Sequence, residues 1–233
     1  MKPGLEVPIL LLGYNRPDLM TGLINVLRGL RPLCLYVSLD GPRAHKAGDH
    51  ERCQATRDVI AKEIDWPCRL HINASPVNLG CRVGVSSGIT WFFKHVSEGI
   101  ILEDDCWPSE DFFVFCETML ARYRNDSRVG MISGDNFQQG QKRPKASYYF
   151  SKYTHIWGWA TWRRAWKEYD LEMNGLDDFF SSETWQTYQA SERETEHWRS
   201  LMTKVRNGEI DTWDYQWNYA VWKSGALVVL PAV

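Results

Sequence analysis

The feature that most constrains the fold is an alternation of short, continuously apolar runs with segments of helical periodicity. The apolar runs have the length of strands and lie at residues 7–13, 33–39, 68–72 and 99–102. Helical patterns separate them, including a charged amphipathic stretch at 49–63. Strands buried on both faces that alternate with helices are typical of βαβ units and a parallel sheet between helices. The first 125 residues therefore predict an α/β fold with a mostly parallel sheet.

The pattern changes after about residue 126. Short strands are predicted at 129–133, 147–150 and 227–230, and helices at 159–167, 192–205 and 213–223. This indicates a smaller antiparallel and helical part. A chain of 233 residues can bury about 70% of its unfolded surface, enough for its own core, so we expect one domain over 1–233. Because the sequence stops three residues after the last strand, we expect a C-terminal truncation or a longer natural chain.

Composition excludes several classes of protein. With 27 basic and 29 acidic residues and a net charge of −2, the chain lacks the basic character of a nucleic-acid binder. No apolar run approaches the roughly 20 residues of a transmembrane helix, and the N-terminus does not resemble a signal peptide. Six cysteines without a Cys-x-x-Cys spacing indicate reduced thiols and no zinc framework, hence a cytoplasmic protein.

Familiar catalytic motifs are also missing. The sequence contains no Gly-x-Gly-x-x-Gly, no Walker phosphate loop, no His-Glu-x-x-His and no Gly-x-Ser-x-Gly. These absences weigh against a dinucleotide oxidoreductase, a P-loop ATPase, a zinc protease and a serine hydrolase.

Polar side chains follow the predicted parallel strands at the point where each strand ends. Asn15 and Arg16 follow the first strand, Asp40 follows the second, and Asn78 lies in the turn after the third. Ligands of such sheets bind beyond the carboxyl ends of the strands, where the strand order reverses. We therefore expect these side chains to meet at one edge of the sheet.

The strongest local signal is Glu103-Asp104-Asp105, directly after the fourth strand. Three adjacent carboxylates repel one another unless a cation lies among them, and their oxygens suit Mg²⁺ or Mn²⁺. The alternation of a strand would place Glu103 and Asp105 on one side and Asp104 on the other. The simpler alternative is a solvated acidic loop before a helix.

Other candidates are weaker when taken alone. Asp40 could accept hydrogen bonds from a base or ribose, but Asp40-Gly41 is also an ordinary turn. Arg16 and Arg82 could balance a diphosphate, or each could form a surface ion pair. Asp214 lies among tryptophans, where burial would suit a general base, but it is also an acid in the first turn of a helix. The twelve tryptophans indicate an aromatic core or, for some of them, a platform for a sugar.

Taken together, these residues resemble the GT-A-fold nucleotide-sugar glycosyltransferases, a Rossmann-like class. The closest likeness is to the N-acetylglucosaminyltransferase I branch and its small bacterial relatives, from Val7 to about Trp222. The markers occur in the family's order: Gly13-Tyr14-Asn15-Arg16-Pro17, Ser38-Leu39-Asp40-Gly41-Pro42, Asn78-Leu79-Gly80-Cys81-Arg82, Leu102-Glu103-Asp104-Asp105, Trp157-Gly158-Trp159 and Trp213-Asp214.

The resemblance implies roles for several of these residues. It implies Asp105 as the ligand of Mn²⁺ (or Mg²⁺), Asp214 as the catalytic base of an inverting enzyme, and Arg82 as a basic residue beside the phosphates. It also implies a nucleotide-binding half at about 1–125 and an acceptor-side half at about 126–233. The remaining donor-binding residues that it implies are Asn15, Arg16, Asp40, Glu103, Asp104, Gly158 and Trp159.

The activity expected from this likeness is metal-dependent transfer of a sugar from a nucleotide-diphosphate sugar, a UDP-sugar being favoured, to a hydroxyl of a carbohydrate or glycoconjugate. Two alternatives stay open. A sugar-nucleotide nucleotidyltransferase would need a glycine-rich basic loop after Leu12, which is missing. A non-catalytic carbohydrate-binding module would use the tryptophans and would leave the acids at the strand ends unexplained.

Overall fold

A computed structural model describes residues 4–141 and 145–232. Its elements, in chain order, are β1 (Ile9–Gly13), α1 (Pro17–Leu30), β2 (Cys34–Leu39), α2 (Asp49–Glu63), β3 (Arg69–Ala74), α3 (Gly80–His95), β4 (Glu98–Glu103), α4 (Glu110–Tyr123), β5 (Val129–Ser133), β6 (Tyr148–Ser151), β7 (Trp159–Trp162), α5 (Arg163–Trp166), α6 (Leu176–Phe180), α7 (Glu183–Tyr188), α8 (Glu192–Arg206), α9 (Asp214–Lys223) and β8 (Leu227–Pro231).

The strands form one eight-stranded sheet in the order β3-β2-β1-β4-β7-β5-β8-β6. β1 pairs in parallel with β2 and β4, and β2 pairs in parallel with β3. β7 is antiparallel to both β4 and β5, and β6 is antiparallel to β8. The predicted α/β class with a mostly parallel sheet is therefore confirmed, with antiparallel pairing concentrated in the second half of the chain.

Helices cover both faces of the sheet because its central strands are apolar on both sides. Leu10 and Leu12 of β1 belong to a core cluster shared with α3 and α9, whereas Ile9 and Leu11 belong to the opposite cluster with α1 and α4. Ile9, Leu10 and Leu11 are fully buried. This two-faced burial explains why the run lacks the polar alternation of a half-exposed strand.

The prediction of a single helix over 159–167 is wrong. Trp159–Trp162 forms strand β7, and only Arg163–Trp166 is helical. A four-residue apolar run has no periodicity that separates a strand from a buried helical turn. The outcome is set by β4 and β5, which provide hydrogen-bonding partners on both sides of β7.

Most tryptophans are core residues. Two are prominently exposed, Trp107 and Trp157. The core interpretation is thus confirmed for the following eight of the twelve: Trp66, Trp159, Trp162, Trp166, Trp185, Trp213, Trp217 and Trp222. The six cysteines are all free thiols. Among the described helices, none combines the length and apolarity needed to cross a bilayer.

Candidate functional site

The order of the strands reverses between β1 and β4. From β1 the chain adds β2 and then β3 on one side, and β4 returns to pair with β1 on the other. At the carboxyl ends of these two strands, Arg16 donates from Nε to Asp104 Oδ2 at 3.1 Å, and from Nη1 to Asp105 Oδ2 at 3.0 Å. A second contact joins Arg16 Nη2 to Asp104 Oδ1. The predicted convergence of Arg16 with the acids thus occurs at the switch point.

The acidic segment does not follow the predicted alternation, which is wrong beyond the strand. β4 ends at Glu103, and the next two residues form a turn. Asp104 is 1% exposed and Asp105 is 51% exposed, yet both contact Arg16. Asp104 is therefore a buried partner of Arg16, whereas Asp105 is exposed to solvent.

A cavity of about 370 Å³ opens beside this ion pair, between the ends of β1, β2 and β4 and the start of α3. Of the predicted site residues, it brings together Arg16, Asp40, Glu103 and Asp104. It also contains Asn78, which was expected at this edge, and polar residues to which the sequence analysis gave no role, namely Tyr14, Ser38, Arg43, Cys81 and Asp211. With both cationic and anionic groups on its wall, the cavity suits a polar, charged ligand.

The surroundings of Glu103 disfavour a negative charge. Burial raises its pKa to about 7, and the neighbouring charges of Asp105 and Asp104 act in the same direction. Arg16 and a hydrogen bond from Trp213 oppose this shift but do not cancel it. Glu103 therefore keeps its proton to a higher pH than an exposed glutamate does.

Replacing Glu103 with glutamine is expected to stabilise the metal-free protein at alkaline pH. Because the folded chain holds a proton that the unfolded chain releases, stability falls as pH rises from 4.5 to about 7. Glu103→Gln removes that loss, so it should raise the unfolding free energy by about 3 kcal/mol at pH 8 and leave it unchanged at pH 4. Urea titrations in EDTA, with exposed Glu196→Gln as the control, measure this. Equal changes at both pH values would contradict it.

Asp40 lines the cavity, but its oxygens are already engaged. Oδ1 accepts the backbone N–H groups of Gly41 and Leu79, each at 2.8 Å. Oδ2 accepts Asn78 Nδ2 at 2.8 Å and the N–H of Gly80 at 3.2 Å. Asp40 therefore fixes the turn before α3 and forms a wall of the cavity. Its contact with a nucleotide base stays a prediction.

A buried carboxylate outside the predicted set organises the mouth of the cavity. Asp49 accepts hydrogen bonds from the Tyr14 hydroxyl, from Asn15 Nδ2 at 2.6 Å and from the backbone N–H of Arg43 at 2.7 Å. Burial opposes its ionisation, but these bonds prevail and lower its pKa to about 2. Asn15 thus faces Asp49, while Tyr14 and Arg43 line the cavity.

The side chain of Arg82 is directed away from the cavity. Its Nη2 donates to the carbonyl of Leu171 at 2.8 Å and lies 3.1 Å from Glu172 Oε2. Its backbone N–H donates to Asp211 Oδ1 at 3.2 Å, so Asp211 caps the start of α3 from the second half of the chain. Gly80, with φ of +77°, leaves room for Asp211, whose Oδ2 would lie 3.2 Å from an added Cβ. The structure does not bring Arg82 and Arg16 together.

Asp214 begins α9 and is half-buried, and it accepts a hydrogen bond from the Thr212 hydroxyl. Asp214 lies close enough to Cys81, a cavity residue at the start of α3, for its charge to act on the thiol. Burial raises the pKa of the Cys81 thiol to about 11, and the charges of Glu103, Asp211, Asp214 and Asp40 raise it further. Asp214 therefore lies beside the cavity without forming its wall.

Gly158 directly precedes β7, and Trp159 is the first residue of that strand. Gly158 has φ of +91°, and its carbonyl accepts the N–H of Gly134 at 2.9 Å. The Trp159 ring is fully buried between Trp213 and Trp217, with ring centroids 5.7 and 5.6 Å away. Trp159 therefore supports the start of α9 from the core and does not line the cavity.

Asp135 is a candidate that the sequence reasoning missed. It follows β5 by two residues and is half-buried, and burial raises its pKa to about 6 against hydrogen bonds from Trp157 N and Ser133 Oγ. The charges of Asp135 and Asp105 both contribute to raising the pKa of the Cys106 thiol. The rule that polar residues follow parallel strands would have found Asp135 if it had been extended past residue 126.

Of the two aspartates that contact Arg16 at the switch point, only Asp105 keeps an oxygen that could bind a hard divalent cation. Both oxygens of Asp104 are taken by Arg16. Asp105 uses only Oδ2 for Arg16, and the nearest donor to its Oδ1 is Cys106 Sγ at 3.9 Å. Within residues 4–141 and 145–232, no three His, Cys, Asp or Glu side chains are grouped to hold a metal. The arrangement fits Mn²⁺ or Mg²⁺ through Asp105, with substrate and water as the other ligands.

No protein-family model matches the chain, and no curated protein sequence is significantly similar to it.

Proposed function

We propose that this chain is a metal-dependent glycosyltransferase of the GT-A type. Its donor is a nucleoside-diphosphate sugar, a UDP-sugar first of all, and it transfers a hexosyl or N-acetylhexosaminyl group to an acceptor hydroxyl with inversion. We also propose a cytoplasmic location, on the ground of the six free cysteines.

The observation that carries the proposal is the cavity at the switch point between β1 and β4. Its wall carries the cations of Arg16 and Arg43, and Arg16 also pairs with the exposed carboxylate of Asp105. A nucleoside diphosphate needs these same features, namely a pocket for its base and ribose, positive charge near its phosphates, and an oxygen ligand for a bridging cation.

The chain's own residues supply the remaining steps. Tyr14 and Arg43, held by Asp49, shape the mouth of the cavity that receives the nucleoside. Arg16 stabilises the negative charge that develops on the departing diphosphate. Asp105 would hold a divalent cation, which, when bound, would supply Lewis-acid stabilisation of the leaving diphosphate. Asp214 accepts the proton of the acceptor hydroxyl as that oxygen attacks the sugar carbon.

The test is thermal unfolding with a panel of nucleoside diphosphates, each with and without Mn²⁺. A ligand at 100 times its dissociation constant adds about 2.7 kcal/mol, which corresponds to about 5–10 °C for a domain of this size. We expect such a shift with one nucleotide, UDP first of all, and only with Mn²⁺ present. No shift with any pair would overturn the donor assignment, and an equal shift in EDTA would overturn the metal dependence.

A carbohydrate-binding module without catalysis is the second candidate, and exposed Trp157 favours it. It predicts binding of sugars and no response to nucleotide or metal. It gives no role to the cavity or to the acids of β4, and we therefore rank it second.

A further inference from the structure

Another cavity, of about 420 Å³, lies at the far end of α3 from the switch point. The cavity at the switch point contains Cys81 in the first turn of α3, whereas this one contains Lys94 in the last turn. With a rise of about 1.5 Å per residue, these two ends of the helix are about 20 Å apart. Among the described residues, none lines both cavities, so this one is a separate candidate site.

Three cationic side chains line this cavity, and no acidic residue of the described segments does. The cations are Lys94 of α3, Arg163 of α5 and Lys167 directly after α5. Within residues 4–141 and 145–232, none of them forms an ion pair. The acid that begins β4 close by, Glu98, gives both of its oxygens to Arg124. The cavity therefore concentrates positive charge that neighbouring carboxylates do not neutralise.

Arg163 is held in a fixed orientation with its outer nitrogens unengaged. Its backbone N–H donates to the carbonyl of Ser97 at 2.8 Å, and its Nε donates to the carbonyl of Val96 at 3.0 Å. No described residue accepts a hydrogen bond from its Nη1 or Nη2. Arg164 differs, because its Nε and Nη2 both donate to carbonyls at the end of α4. The half-buried guanidinium of Arg163 thus offers a preoriented pair of donors, which suits two oxygens of one phosphate group.

Aromatic rings form most of the remaining wall. Trp166 and Tyr169 are stacked, with ring centroids 4.3 Å apart at an angle of 13°, and Phe93 is buried beside them. The indole N–H of Trp166 donates to Thr90 Oγ1 at 3.0 Å, so the Thr90 hydroxyl is free to donate to a ligand. None of the prominently exposed large apolar side chains of the described residues lines this cavity. The wall therefore suits a small group attached to an anion, and it lacks the apolar surface of a membrane contact.

We propose that this cavity binds a phosphate monoester of a small soluble compound. A phosphate monoester carries a charge of about −1.5 to −2 at pH 7 and has three oxygens that accept hydrogen bonds. These features match the three cations and the donor pair of Arg163. A carboxylate or a sulfate ester carries a single charge and would leave more of the positive charge unbalanced. The proposal goes beyond the transferase function and does not depend on it, because the residues of the switch-point cavity take no part.

Calorimetric titration with phenyl phosphate, inorganic phosphate and phenyl sulfate tests the site, in EDTA and without nucleotide. We expect saturable binding of phenyl phosphate, tighter than that of inorganic phosphate or phenyl sulfate. Arg163→Gln should weaken it about 10-fold, and so should the double variant Lys94→Gln with Lys167→Gln. Lys94 and Lys167 are exposed, so the double variant should melt at the wild-type temperature and keeps the test decisive if Arg163→Gln does not fold.

The matched controls are Arg193→Gln and Lys204→Gln, because both residues are exposed cations on α8. Each should bind phenyl phosphate as the wild type does. If phenyl phosphate does not bind, or if the double variant binds it normally, the site is wrong. Equal affinity for phenyl sulfate would overturn the assignment to a phosphate monoester.

A lipid headgroup is the other source of the same chemistry. Sedimentation with phosphatidylcholine vesicles, with and without phosphatidic acid, separates the two sources because phosphatidic acid also carries a phosphate monoester. We expect no more protein to sediment with phosphatidic acid than without it. Sedimentation that requires phosphatidic acid and is lost in the double variant would overturn the assignment to a soluble ligand. Neither result bears on stabilisation by UDP and Mn²⁺, so this proposal and the transferase proposal can fail separately.

Discussion

Replacement of Asp214 by asparagine is expected to lower the rate of sugar transfer by about 10²- to 10⁴-fold, the range observed when a general base is lost. Asparagine has nearly the same shape and can still accept the hydrogen bond from Thr212, so the start of α9 should be preserved. Asparagine cannot take the proton of the acceptor hydroxyl. The measurement is the initial rate of nucleoside-diphosphate release at saturating donor and acceptor, together with the nucleotide-induced shift in melting temperature, which should be unchanged.

Asp178→Asn is the matched control, since Asp178 is an exposed acid in the first turn of α6. It should retain the full rate of transfer. A wild-type rate in Asp214→Asn would contradict the role of Asp214 as the base. Asp135 would then be the next carboxylate to test.

The second large effect is expected at Asp105. Asp105→Ala should abolish the stabilisation by UDP and Mn²⁺, a loss of about 5–10 °C under conditions that saturate the wild-type protein. The reason is that Asp105 is the acid of the β4 segment whose Oδ1 is not committed to Arg16. The unliganded variant should melt close to the wild type, because Asp105 is exposed and its ion pair with Arg16 contributes little.

Asp111→Ala, an exposed acid in the first turn of α4, serves as the control and should keep the full shift. Chelation by EDTA should reproduce the effect of Asp105→Ala in the wild-type protein. A shift in Asp105→Ala that is still large and still sensitive to EDTA would mean that Glu103 holds the cation instead.

The meeting of Arg16 with the acids of β4 could be predicted from sequence because it follows from strand direction alone. Parallel strands end at one edge, so any polar residues that follow them are neighbours. The orientation of Asp104 and Asp105 could not be predicted in the same way. It depends on where β4 ends, and the turn that follows directs both carboxylates to Arg16.

Contacts between residues far apart in the chain explain the other differences between the sequence-based predictions and the structure. The Arg82 side chain is committed to Leu171 and Glu172, about ninety residues along the chain, and no local pattern encodes that contact. Trp159 begins a strand only because β4 and β5 leave a gap of one strand between them. Asp135 differs from these cases, because the principle that located Asp40 applies equally to the end of β5.

The position of β7 has a consequence for motion. This strand is hydrogen-bonded to β4 on one side and to β5 on the other, so it joins the strands of the first 125 residues to those of the second half within one sheet. A hinge between the halves would have to break those bonds. Any opening and closing is therefore expected in the loops at the carboxyl edge, with the sheet as a rigid frame that keeps the ends of β4 and β5 at a constant distance.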